Sequence, residues 1–286
     1  MTRATIHTPI GLHTASALQL SDKGAPLHFY HANGFGAQAY VPFLEKLAPN
    51  YSVSALNMRA LWPSKPEIDH KIGWQQYAYD LIHWLETTQS EPIIGVGHSM
   101  GAIATAIAAN LRPDLFRALV LIEPTSTTFS VGVLLRSVPY GMRKHLGPLK
   151  TATRSQTEWR DVGEMLADLR SSAAYKRFDD NALRCLIDAT TIPNEAGITL
   201  AYSPLWENHN YFTAGHNLPE LARLSVPSHI IATKPSFFVS PAVLTKLRAR
   251  RPDIGFSQFV ENGHLMPLEA PKDAADAVLS ALDGLL

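Results

Sequence analysis

The chain is poor in residues that several kinds of chemistry require. Its 286 residues include one cysteine, Cys185, which excludes an intrachain disulfide and a thiolate cluster for zinc or iron–sulfur. That usage fits a reducing, cytoplasmic setting. No sign of charge dominates: 25 basic and 25 acidic residues give a formal net charge of zero. Such a balance points to no nucleic-acid partner and no anionic membrane surface. Long apolar runs are missing too. Thr, His and Pro interrupt the opening MTRATIHTPIGLHTASALQL where a signal peptide or anchor needs continuity. Nothing elsewhere reaches the roughly 20 apolar residues that span a bilayer. There is no internal repeat, no low-complexity tract and no H-E-x-x-H zinc pattern, and the histidine pairs lack a matching carboxylate or cysteine set. No metal is expected.

What remains is an ordinary globular balance, 46% hydrophobic and 17% charged, long enough for a large core with an insertion. The first half alternates apolar strands with amphipathic helices. PLHFYHANGFGA (26–37) is a strand entering a glycine-rich loop, AYVPFLEKLAP (39–49) a short helix, and YSVSALNMR (51–59) the next strand. In GWQQYAYDLIHWLETTQ (73–89), Tyr77, Leu81, Ile82 and Leu85 share one helical face. Strand 92–97, helix 99–111 and strand 117–123 follow. This rhythm predicts an α/β fold with a mostly parallel sheet covered on both faces. It lapses over 125–215, where helical patches such as EWRDVGEMLADLRSSAAYKRF (158–178) come without a clear strand. It resumes with PSHIIAT (227–233), a helix at 241–250, GFSQFV (255–260) and a last helix from about 271. The expected organisation is a core of 1–124 and 216–286 with a helical cap at 125–215.

The stretch IIGVGHSMGAIATAIAAN (93–110) runs a strand into a helix through glycines. One reading is a phosphate cradle, since Gly95 and Gly97 give G-x-G and Glu123 ends the next strand. The third glycine of that pattern belongs at Met100, and the turn lies mid-chain rather than at the start of a domain. The other reading uses every residue. Gly97-His98-Ser99-Met100-Gly101 is G-x-S-x-G, a sharp strand-to-helix turn that exposes the serine. The Met100 N–H, at the helix start, would face a developing oxyanion. Serine needs a base, and ENGHLMPLEAP (261–271) offers His264 between the last strand and last helix. His98 is read as packing or hydrogen-bonding near the turn, and Pro267 and Glu269 as shaping the start of the final helix.

With these pieces in view, HANGFGA (31–37), GHSMG (97–101) and GHLMPLEAP (263–271), the chain resembles the α/β-hydrolase family over nearly its whole length. The resemblance implies the α/β-hydrolase fold and assigns a second oxyanion N–H to Phe35, with Asn33 where many relatives carry histidine. It also implies an acid in the loop after the penultimate strand, yet TKPSFFVSP (233–241) holds neither Asp nor Glu. Some similar enzymes place the acid after the strand that follows the nucleophile helix, which here is Glu123. Glu207, in SPLWENHNYF, is the alternative acid; Asp188 and Glu195 are less well placed, and a Ser–His dyad is the remaining option. The expected activity is that of a serine esterase, hydrolysing a small to medium, partly apolar carboxylic ester through an acyl-enzyme, with no cofactor. Carbon–carbon, thioester and lactone hydrolysis use nearly the same constellation. A catalytically inactive binding protein is the alternative of another class. Tyr202, Trp206, Tyr211 and Phe212 either line the substrate pocket or pack the cap, and Arg59 and Trp62 either touch substrate or serve packing. The expected partner is a small-molecule substrate, and the expected state a monomer or homodimer.

Overall fold

Near-continuous apolar strands need both faces covered, and here they form the middle of one eight-stranded sheet. The computed structural model describes residues 3–138, 142, 156–236 and 238–286. The strands are β1 (Ala4–Ile10), β2 (His13–Gln19), β3 (Ala25–Tyr30), β4 (Tyr51–Leu56), β5 (Ile93–His98), β6 (Phe116–Ile122), β10 (Ser228–Thr233) and β11 (Gly255–Phe259), in the order β1-β2-β4-β3-β5-β6-β10-β11. From β4 to β11 all neighbours are parallel, as the alternation predicts; β1 and β2 add an antiparallel edge. The hairpin of β1 and β2 turns at Gly11, whose φ of +57° lies in the left-handed region. Its mostly exposed first strand gave the sequence reading no apolar run to find.

The winding fixes where a ligand belongs. After β3 the chain moves outward to β4, whereas after β5 it moves the other way to β6. Loops therefore diverge at the carboxyl ends of β3 and β5 and leave a crevice between them. The helix Met100–Leu111 starts there, and every residue from Met100 to Ala109 is buried. Alanine-rich sides let it pack closely against the sheet and the helix Gln75–Thr88.

The insertion is more than helical. Besides the helices Phe129–Ser137, Val162–Ser171, Asp180–Thr190 and Pro204–Thr213, it holds a small antiparallel sheet of β7 (Glu158–Trp159), β9 (Gly197–Leu200) and β8 (Thr191–Asn194). The segment 158–178 thus opens on a strand, and its helix begins after Asp161, whose carboxylate caps the N–H of Glu164. Strands of two to four residues are too short to show a period of two, which is why the sequence reading missed them. Part of the insertion, 139–141 and 143–155, lies outside the described residues. Among the described residues no helix is long and apolar enough to cross a membrane.

Three histidines, one within β3, one just after it and one at the end of β5, are buried and accept from or donate to the backbone. His28 Nε2 accepts the Leu56 N–H at 3.0 Å, and His31 Nε2 accepts that of Met58 at 2.9 Å. Burial pushes their pKa values down to about 3 for His28 and about 4 for His31. His98, also fully buried, is pushed down to about 3, chiefly by burial and then by His264. The unfolded chain takes up protons on these rings near pH 6.5, the folded chain only near pH 3 to 4. Stability is therefore expected to fall as pH drops below about 6.5, each ring contributing up to about 1.4 kcal/mol per pH unit. Urea unfolding midpoints between pH 7.5 and 4.5 measure this. A flat profile would mean that the rings take up protons in the folded chain as readily as in the unfolded one.

Candidate active site

The turn after β5 is tight because only glycine fits on either side of the serine. A Cβ on Gly97 would lie 2.7 Å from the Ala102 nitrogen, and one on Gly101 would collide with the carbonyl oxygens of Tyr30 and His31. Between them Ser99 adopts φ +56°, ψ −117°, a region that side chains avoid at a cost of roughly 1–3 kcal/mol. Its N–H is tied to the Ile122 carbonyl of β6 at 2.9 Å. One residue further along β6, Glu123 is also left-handed, at φ +48°. Two strained non-glycine residues thus end adjacent strands, and strain of this kind clusters at functional sites.

The side chains at these positions meet a third. His264 Nε2 is 2.9 Å from Ser99 Oγ, and His264 Nδ1 is 2.9 Å from Glu123 Oε2. The other carboxylate oxygen of Glu123 accepts the Thr233 N–H from the end of β10 at 2.6 Å. Glu123 is 1% exposed and Ser99 8%, so the chain of hydrogen bonds runs from the protein interior to the crevice. Phe238 stacks on the His264 ring with centroids 4.8 Å apart. Glu207 is elsewhere. Its carboxylate packs over Gly34, where an added Cβ would meet it at 2.9 Å, and beside the Tyr202 hydroxyl.

Met100 opens its helix, so its N–H has no intrahelical acceptor. The Phe35 N–H closes a turn onto the Ala32 carbonyl in a long bond of 3.4 Å, which a better-placed oxygen can replace. Asn33 does not face the serine; it ties the loop to the insertion. Its Nδ2 donates to the Glu207 carbonyl at 3.0 Å and its Oδ1 accepts from Asn210 at 2.8 Å, while Asn210 accepts from the Tyr77 hydroxyl. Arg59 and Trp62 serve packing: the guanidinium clamps Asp80 at 2.7 and 2.8 Å, and the buried indole donates to the Asn57 carbonyl. Glu269 does not start the last helix. It ends the turn Met266–Glu269, accepts the Gly263 N–H and pairs with Arg177 of the insertion, bracing the His264 loop.

Sequence reasoning missed Thr125, whose Oγ1 lies 2.8 Å from Ser99 Oγ. The string EPTST shows a hydroxyl two residues past Glu123, but only the left-handed turn at Glu123 directs it back to the serine. Beside the Phe35 loop, a pocket with an empty volume of about 280 Å³ is lined by Met58, Leu61, Tyr202, Trp206 and Glu207, among others. Phe212, by contrast, is fully buried. Among the described residues no group of three His, Cys, Asp or Glu is arranged to hold a metal.

A sequence model of the alpha/beta hydrolase family matches residues 27–277. The chain belongs to that family. Among curated proteins it is similar to 2-(acetamidomethylene)succinate hydrolase of Mesorhizobium japonicum, 24% identical over 93% of this chain and 91% of the relative. A probable esterase of Oryza sativa subsp. japonica is 33% identical over a shorter match, 32% of this chain and 36% of the relative. Among solved structures, E-2-(acetamidomethylene)succinate hydrolase superposes with a TM-score of 0.82 at 22% identity, covering 99% of this chain and all of the other. The thioesterase domain from the curacin biosynthetic pathway superposes at 0.77 and 18%, covering 98% of this chain and all of the other. At these identities the superpositions establish the shared α/β-hydrolase fold.

Proposed function

We propose that this α/β-hydrolase is a serine hydrolase that cleaves a carboxylic ester, or a related acyl bond, of a small to medium substrate through an acyl-enzyme. The observation that carries this reading is the unbroken line Ser99–His264–Glu123, with both links at 2.9 Å. In the working tautomer His264 Nδ1–H donates to Glu123, so Nε2 accepts the Ser99 proton as Oγ attacks the carbonyl carbon. The N–H groups of Met100 and Phe35 receive the oxyanion. When the carbon–oxygen bond breaks, His264 returns the proton to the leaving alcohol. Water, losing its proton to the same nitrogen, then releases the acid and restores Ser99. Thr125 donates to Ser99 Oγ in this scheme, because the serine proton points to His264.

A second reading is supported by the similarity over 93% of the chain to a hydrolase named for an acetamidomethylene succinate. In that reading the scissile acyl bond is carbon–nitrogen. The two are separated by assaying p-nitrophenyl esters from acetate to laurate beside E-2-(acetamidomethylene)succinate. With the acyl chain entering the pocket beside the Phe35 loop, which Asn33, Glu207 and Asn210 line together with apolar side chains, short esters are expected to be preferred, acetate or butyrate exceeding laurate by roughly tenfold or more. Fluorophosphonate should label the wild type at Ser99. A wild type that neither labels nor turns over any of these compounds would instead fit a binding protein.

A further inference from the structure

Two loops must be held in register for the chemistry proposed above: the Phe35 loop after β3 and the His264 loop after β11. They leave strands at separate places in the sheet, with β5, β6 and β10 lying between β3 and β11. One line of hydrogen bonds, buried except at its His264 end, joins them beside the serine. The Ala32 N–H donates to the Tyr40 hydroxyl at 3.3 Å, Tyr40 bonds His98 Nδ1 at 2.8 Å, and His98 Nε2 bonds the His264 carbonyl at 2.8 Å. Tyr40 and His98 are fully buried.

The polarity of this line is fixed by its ends. A backbone N–H only donates and a carbonyl only accepts. His98 must therefore carry its proton on Nε2, leaving Nδ1 to accept from Tyr40, which in turn accepts from Ala32. Each group has one consistent role, and burial keeps the imidazole neutral, pushed down to about 3. His98 is thus neither a base nor mere filling. It immediately precedes the nucleophile on the end of β5, so the same residue that leads into the strained turn also holds the main chain of His264.

We propose that Tyr40 and His98 are positioning residues that hold the His264 backbone in register with the Ala32–Phe35 loop. The inference rests on the acyl-transfer reading. Losing the line releases the His264 carbonyl, and a misplacement of about 1 Å at a reacting group can cost on the order of 10²-fold in rate. The Tyr40 hydroxyl and the His98 ring make no contact with substrate in that mechanism, so the loss falls on kcat rather than on binding.

The test compares wild type with Tyr40→Phe, His98→Leu, His98→Gln and the double variant Tyr40→Phe/His98→Leu. For each, kcat and KM on p-nitrophenyl acetate, the fluorophosphonate labelling rate and the thermal midpoint are measured. Expected losses in kcat and labelling are about 10-fold for Tyr40→Phe and about 30-fold for His98→Leu, with KM within about twofold. The double variant should match His98→Leu alone, because Tyr40 reaches the His264 carbonyl only through the His98 ring and has nothing further to contribute once that ring is gone. Gln places an amide N–H near the ring Nε2, so His98→Gln should return to within about threefold of wild type. Tyr40→Phe and His98→Gln carry the test if His98→Leu does not fold. Folded variants with near-wild-type kcat, losses that multiply in the double, or Gln no better than Leu would each overturn the proposal. A wild type that neither turns over nor labels overturns the acyl-transfer reading and this inference together; an active wild type with indifferent variants overturns this inference alone.

Discussion

Ser99→Ala is expected to lower ester turnover by roughly 10⁵-fold or more, with KM near the wild-type value, since removing the nucleophile of a serine–histidine pair costs on the order of 10⁶ in kcat. The geometry explains why no neighbour substitutes. Thr125 Oγ1 is 2.8 Å from Ser99 Oγ, but it is Ser99 that His264 Nε2 contacts at 2.9 Å. Thr125 therefore has no base to take its proton. The proposed oxyanion donors, the Met100 and Phe35 N–H groups, are backbone groups and survive the substitution, so a small residual rate above that in water should persist. Stability should change little, because Oγ faces the crevice and alanine inherits the same strained φ of +56°. Kinetics on the folded variant, with fluorophosphonate labelling as a control, check this. Residual activity above about one per cent, far beyond what oxyanion donors alone supply, would show that another group is the nucleophile.

How much of this was legible in the sequence depends on how local the cause is. The parallel sheet follows from apolar runs separated by amphipathic helices, and those runs match β3 to β6, β10 and β11 closely. The turn around Ser99 is local too, since Gly97 and Gly101 are required within four residues of chain by contacts with Ala102 and the end of β3. His264 is legible from chain order and from its loop between the last strand and the last helix, before any family resemblance is invoked. Glu123 was harder, because the acid's usual loop after β10 offers none. The structure shows what that strand end supplies instead: a backbone donor, Thr233 N–H, that fixes the Glu123 carboxylate from across the sheet. Such a contact joins residues 110 positions apart, and no periodicity encodes it. Tyr40 and Thr125 were missed for the same reason. Asn33 was noticed as a departure from relatives, but its bond to Asn210 depends on how the insertion folds back.

The Thr233 contact also makes Glu123→Gln a sharper test than a simple loss of charge. A backbone N–H can only donate, so the amide oxygen of the introduced glutamine must face Thr233. Its NH₂ group then faces His264 Nδ1, where Oε2 of Glu123 now accepts at 2.9 Å. Facing a donor, Nδ1 must become the acceptor, and the ring proton moves to Nε2. In that tautomer His264 cannot take the Ser99 proton, and an amide in place of the triad carboxylate costs about 10⁴ in kcat through this inversion. The fold should persist, because the substitution is nearly isosteric and keeps the bond to β10. Glu123→Ala is expected to cost a comparable factor, on the order of 10⁴, but by removing support from the ring rather than by imposing the wrong tautomer. The order of the two variants is therefore diagnostic. Gln worse than Ala means that Glu123 acts by holding the tautomer, whereas Ala worse than Gln means that filling the site matters more than the proton on His264. If both keep the wild-type rate, Glu123 is not the acid. Glu207, whose carboxylate packs over Gly34, would then have to move to reach the ring, or the serine and histidine would act as a dyad.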